Sequence, residues 1–190
     1  MNIQDDYAGA VNRFEPIAQQ YCSLVDSRSA LDKSEFLVRV YRVLPELIAE
    51  ASRLPLVSFN DDENEEQDAI MSKIRAETEM KQQEWGELYD SLKEKLDDWN
   101  LYWMVFDPRT DNEAIRGSLA DDIADIYRDL KDGIGLKGTN KVPACEIIFE
   151  WRFGFTYHWG QHAVNALRTI HFLLQETPDV IQLPTKQKSF

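Results

Sequence analysis

Two histidines four residues apart, His158 and His162, and three closely spaced aspartates, Asp122, Asp125 and Asp129, are the residues here whose types and spacing could do chemistry. On a helix, positions i and i+4 share a face, and that spacing lets two imidazoles reach one divalent ion. Two ligands do not make a site. One carboxylate from Asp122, Asp125 or Asp129 would complete the set, and water in the open position would be the nucleophile of a metal-dependent, hydrolase-like centre. The same histidines share a stripe with Trp151, Phe155 and Ala166, where an imidazole can also serve as a packed aromatic with one satisfied hydrogen bond. His171 lies about 140° away around the axis at ~100° per residue and joins neither.

The aspartates belong to the run from Ser118 to Leu130. At about 100° per residue, Leu119, Ile123, Ile126 and Leu130 fall within roughly 60° of one another and form a core stripe. Asp122, Asp125 and Asp129 line one border of it. Like charges at this spacing repel by about 0.2–0.5 kcal/mol per pair and want a counter-cation. Arg152 and Arg168 are the expected protein partners, with a metal or solvent as the alternatives.

Other chemistry has less support. Gly133, Gly135 and Gly138 follow a helix and lack the strand before them and the Lys-Ser/Thr ending of a phosphate loop. No Gly-x-Ser-x-Gly elbow occurs. Cys22 and Cys145 are far apart, without paired metal or redox spacing. Cys145 reads as packing before nucleophile. Glu146 and Glu150 do not match the paired-glutamate motif of helical nucleotide pyrophosphohydrolases.

These residues need elements to position them. Glycine and proline supply 8 and 7 of 190 residues, so long stretches carry no breaker and helices are expected. The periodicity predicts helices over about 5–26, 32–54, 70–99, 118–131 and 142–175, with Asp32 and Ser118 as N-caps and Pro45 bending the second. Residues 61–68, six of them acidic, read as a solvated loop entering a helix N-terminus. Residues 107–117 read as a polar loop, and Gly133 to Gly138 as a flexible turn. The expected fold is an all-α, single-domain bundle of five or six helices over residues 1–176. The last helix is central because aromatics surround its axis, and residues 177–190 form a loose tail.

With 34 acidic against 21 basic residues, the formal charge is −13, and binding to nucleic acid is not expected because phosphates need cationic surface. The longest apolar run, Leu101 to Phe106, is far short of the roughly 18 residues of a membrane span. No basic-then-apolar leader opens the chain, so no membrane association and a cytoplasmic location are expected.

Leu101-Tyr102-Trp103-Met104-Val105-Phe106-Asp107-Pro108, then Ser118-Leu119-Ala120-Asp121-Asp122-Ile123-Ala124-Asp125-Ile126, then Trp151-Arg152-Phe153 with Trp159-Gly160 and Ala166-Leu167-Arg168, resemble an uncharacterised bacterial family, domain of unknown function 5063. The resemblance covers about residues 100–174. It implies a small bacterial cytoplasmic protein and supplies no catalytic role, substrate or cofactor. Its pattern centres on the aspartates and the Trp-Gly pair and extends to members without the two histidines, which weighs against a metal.

The first functional expectation is therefore a non-catalytic helical protein acting through a protein partner or by self-association, with no cofactor. Trp85, Trp99, Tyr102 and Trp103 are its candidate contact residues, being of types favoured in interface cores. The alternative is the metal-dependent enzyme built on His158, His162 and one of Asp122, Asp125 and Asp129, with a divalent metal as its cofactor.

Overall fold

The scarcity of breakers does become helix along most of the chain. A computed structural model describes residues 3–57 and 65–176. The order is α1 (Ile3–Asp26), α2 (Lys33–Ser52), α3 (Glu65–Thr78), α4 (Gln82–Leu96), β1 (Leu101–Met104), β2 (Ile115–Ser118), α5 (Leu119–Gly138), α6 (Ala144–Tyr157) and α7 (Trp159–Glu176). This is an all-α single domain, with one two-stranded hairpin among the described residues. Of the expected acidic loop 61–68, residues 61–64 lie outside the described residues and residues 65–68 form the first turn of α3 instead; the tail 177–190 also lies outside them. Among the described residues no helix is long and apolar enough to cross a membrane.

Several local expectations hold. Asp32 caps α2 by accepting the Glu35 N–H at 2.8 Å, and Ser118 caps α5 by accepting the Asp121 N–H at 3.3 Å. α1 and α2 run through Pro16 and Pro45 without ending. The expected last helix is not the central one: α5 takes the axial place, packing against α1, α3, α4, α6 and α7, while α6 and α7 pack on α5 and on α2. The core at their meeting holds Phe14, Tyr21, Phe36, Trp151 and Trp159, all with 1% exposure or less. Burying each such ring contributes about 1.5–3 kcal/mol.

Four further boundaries differ from the sequence reading, each for a tertiary reason. The expected 70–99 helix is broken after Thr78, where Asp132 of α5 accepts the Met80 N–H at 2.7 Å and Glu84 accepts the Lys81 N–H at 2.9 Å. Residues 75–84 offer too little apolar face to hold one straight helix against that competition. The apolar run after Trp99 forms β1, paired antiparallel with β2 from the expected polar loop, Leu101 opposite Ser118 and Met104 opposite Ile115. α5 continues through Gly133 to Gly138, where a flexible turn was expected. Trp151 lies over Gly133 and donates to Leu130 O at 3.2 Å, so this glycine marks close helix packing.

The fourth difference shapes the site. The expected 142–175 helix divides at His158, whose φ of −143° and ψ of −89° end α6. Trp159 is fully buried, and its indole N–H donates to Trp151 O at 3.2 Å. A Cβ on Gly160 would lie 2.1 Å from Phe155 O. Only glycine allows the first turn of α7 to come so close to the last turn of α6.

Candidate metal centre

The N-terminus of α5 is pinned before any of its aspartates is placed. Asn100, only 3% exposed, accepts the Ala120 N–H at 2.8 Å and the Ser118 hydroxyl at 3.1 Å through Oδ1. Its main-chain carbonyl accepts the Leu119 N–H at 2.8 Å. The hairpin and α5 are thus one rigid unit. Tyr102 on β1 reaches across to donate to Asp122 Oδ2 at 2.7 Å.

From α5, Asp122, Asp125 and Asp129 face the α6–α7 junction, and each meets a histidine. His162 Nδ1 lies 2.9 Å from Asp122 Oδ1, and His158 Nδ1 lies 2.8 Å from Asp129 Oδ2. The second ring nitrogens turn to a shared third carboxylate. His162 Nε2 is 3.4 Å and His158 Nε2 is 3.8 Å from Asp125 Oδ2. These separations are long for a hydrogen bond but close to those of ligands around one ion. Bonds of about 2.0–2.2 Å at tetrahedral angles put ligand atoms roughly 3.3–3.6 Å apart. Asp125, His158 and His162 together offer three ligand atoms within 4.8 Å of one another.

The other oxygen of Asp125 is already engaged. Trp85 Nε1 donates to Oδ1 at 2.9 Å, and Arg128 Nη2 approaches it at 2.7 Å. Arg128 also lies 3.7 Å from Asp129 and stacks over Trp85 at 5.6 Å. It is the counter-cation that the aspartates require. The expected partners are elsewhere: Arg152 Nη1 donates to Ser52 O at 3.2 Å at the end of α2, and Arg168 lies over Phe172. An i,i+3 arginine on the same helix reaches its carboxylate without crossing to another element.

Titration follows from these contacts. The hydrogen bond to Asp129 lifts His158 above the usual histidine range, against an opposing effect of burial. Burial pulls His162 down, but its hydrogen bond to Asp122 and the charges of Asp122 and Asp125 outweigh that and raise it. Burial pushes Asp122 up, against the donors His162 and Tyr102. Burial, with Asp122 beside it, holds Tyr102 far above the ordinary phenol range, so it stays a neutral donor. The side chains of His158 and His162 are 40% and 22% exposed against 9% for Asp125, so the cluster opens to solvent on its histidine side.

The sequence candidates therefore separate. Asp125, His158 and His162 converge on one point, with Asp122 and Asp129 behind the histidines. His158 and His162 meet across a helix junction, with ring centroids 5.1 Å apart. Of the four aromatic contact candidates, Trp85 and Tyr102 brace the aspartates. Trp99 is half-buried with Lys33 Nζ 4.5 Å from its ring, and Trp103 is 63% exposed. Sequence reasoning missed Arg128, although its i,i+3 spacing from Asp125 was visible. It also missed the cap made by Asn100, for which no local signal exists. A Cβ on Gly154 would lie 3.1 Å from Asp129 Oδ2 and 2.8 Å from Trp159, which explains a glycine one turn before His158.

The same overall architecture occurs in protein BF1032 from Bacteroides fragilis, whose crystal structure aligns with a TM-score of 0.67 at 22% identity over 95% of this chain and 96% of that one. At that identity the likeness is one of fold. No curated protein matches the chain significantly. Residues 5–176 match the family described as Domain of unknown function (DUF5063), and the chain, with its hairpin-pinned aspartate helix and its Trp159-Gly160 junction, belongs to that family.

Proposed function

We propose that this protein binds one divalent transition-metal ion through Asp125, His158 and His162 and uses it for hydrolytic chemistry. The observation that carries the reading is that both imidazoles turn Nε2 toward one oxygen of Asp125, while each Nδ1 is held by a carboxylate of its own. A carboxylate behind each histidine fixes its tautomer and raises its basicity as a ligand. Two nitrogens and one oxygen suit zinc, iron or manganese better than calcium or magnesium. With three protein ligands and an open side, a bound ion would supply a water of lowered pKa as nucleophile. The test is elemental analysis of protein purified without added metal, followed by calorimetric titration with Zn(II) and Mn(II). One equivalent per chain, lost in His158→Ala and His162→Ala, supports the reading; folded protein that takes up neither metal overturns it.

A partner or a second copy of this chain remains a second reading, supported by a different surface. Phe149, Phe153 and Tyr157 stack along the outer face of α6 at 5.4 and 4.9 Å between centroids, with Phe153 and Tyr157 exposed by 52% and 74%. Light scattering on the wild type and on Phe153→Ala/Tyr157→Ala distinguishes self-association from a monomer. We place the protein in the cytoplasm, a reading supported by its free thiols, Cys22 and Cys145.

A further inference from the structure

A second concavity lies beside the hairpin. Beyond Tyr102, which turns to Asp122, Trp103 and Met104 both line a groove of about 890 Å³ between the hairpin and the α6–α7 junction. Its apolar walls include Trp103, Val105 and Phe106 on one side and Phe155 and Val164 on the other. Trp103, Phe106 and Val164 are 63%, 60% and 54% exposed, an uncommon concentration of open apolar surface in an acidic chain. The volume falls in the range of about 300–1,000 Å³ typical of small-molecule sites, which pair apolar walls with a few polar groups.

The polar groups indicate the occupant. Arg168 lines the groove, stacks on Phe172 at 5.6 Å and pairs with no carboxylate among the described residues. Outside the lining, Arg116 lies over Trp103 at 5.2 Å and is likewise without a carboxylate partner among the described residues. Asn165 adds an amide to the wall. Asp107, the acid of the lining, is turned to the backbone, its Oδ1 accepting the Arg109 N–H at 2.8 Å.

We propose that this groove binds a small amphiphilic carboxylic acid, its apolar body between Trp103, Phe106 and Val164 and its carboxylate on Arg168. A guanidinium held on an aromatic face presents its donors edge-on, the geometry a carboxylate accepts in two parallel hydrogen bonds. A neutral molecule of the same length leaves that guanidinium unsatisfied and binds less tightly. The site is independent of the metal reading, since it uses none of Asp125, His158 and His162.

The test is calorimetric titration of the full chain with decanoate, and with decanol as its uncharged counterpart. The expected result is one decanoate per chain and affinity for decanol lower by about tenfold, or roughly 1.4 kcal/mol. Arg168→Ala should weaken decanoate by about tenfold without changing decanol, Arg168→Lys should restore part of the loss, and Val164→Asp should abolish both. Both altered side chains are exposed, and circular dichroism confirms that the variants fold. His158→Ala should leave decanoate binding unchanged, which keeps this result separate from that of the metal titration. No saturable decanoate binding up to millimolar concentration, equal affinity for decanol, or indifference to both Arg168→Ala and Val164→Asp would overturn the proposal.

Discussion

The indole N–H of Trp85 on α4 donates to Asp125 Oδ1 on α5 at 2.9 Å, leaving Oδ2 to face His158 and His162. One aromatic side chain from a separate helix thus selects which carboxylate oxygen is free to act as a ligand. Partners behind a ligand typically contribute a factor of about 10–100 in metal affinity. Trp85→Phe keeps the ring over Arg128 and removes only the donor. We expect Zn(II) affinity to fall by about tenfold with an unchanged circular dichroism spectrum, as measured by competition with a chromophoric chelator.

Asp122 anchors His162 and is itself held by Tyr102. Asp122→Asn preserves the shape and one acceptor but removes the charge that raises the basicity of His162. Metal affinity should drop by about 10–100-fold. Tyr102→Phe leaves the carboxylate in place and removes one hydrogen bond to a charged group, at a cost of about 1.5–3 kcal/mol in stability. A larger metal defect in Tyr102→Phe than in Asp122→Asn would contradict this order of roles.

Two glycines on helices should respond in opposite directions. A Cβ at Gly160 meets Phe155 O at 2.1 Å, whereas one at Gly86 in α4 meets nothing within 4 Å. Gly86→Ala should stabilise the protein by about 0.5–1 kcal/mol through helix propensity. Gly160→Ala must push the α6–α7 junction apart, and we expect a loss of about 3 kcal/mol. Thermal melts read both, at about 2–4 °C per kcal/mol for a domain of this size.

Burial raises Asp132 to about 6 while its Oδ1 accepts the Met80 N–H. A carboxyl raised in the folded state contributes its stability below its unfolded value near 4 and loses it as pH rises through about 6. Asp132→Asn retains the acceptor for Met80 without the buried charge. The variant should equal the wild type near pH 3.5 and exceed it above pH 6, by about 1 kcal/mol after allowance for partial exposure. Urea titrations at pH 4, 5, 6 and 7 follow the gap as it opens, and a gap that closes with rising pH would contradict the assignment.

The sequence by itself determined the helical class and the helix starts at Asp32 and Ser118. It also placed Asp122, Asp125 and Asp129 on one border of a buried stripe. These are local properties: periodicity gives a residue's angle about its own axis, and a cap needs partners within three residues. The break at His158, the β1–β2 pairing and the convergence on Asp125 were decided by the tertiary structure. Each depends on what lies opposite, namely Trp159 entering the core, Gly160 approaching Phe155 O, and the strand Ile115–Ser118 closing on Leu101–Met104. The histidine pair shows the difference most sharply. The i,i+4 spacing singled out two residues that the fold does bring together, yet the helix that spacing implies is interrupted between them. Their rings meet because a buried tryptophan turns the chain at that junction, and a contact made by folding back carries no periodicity for a sequence to display.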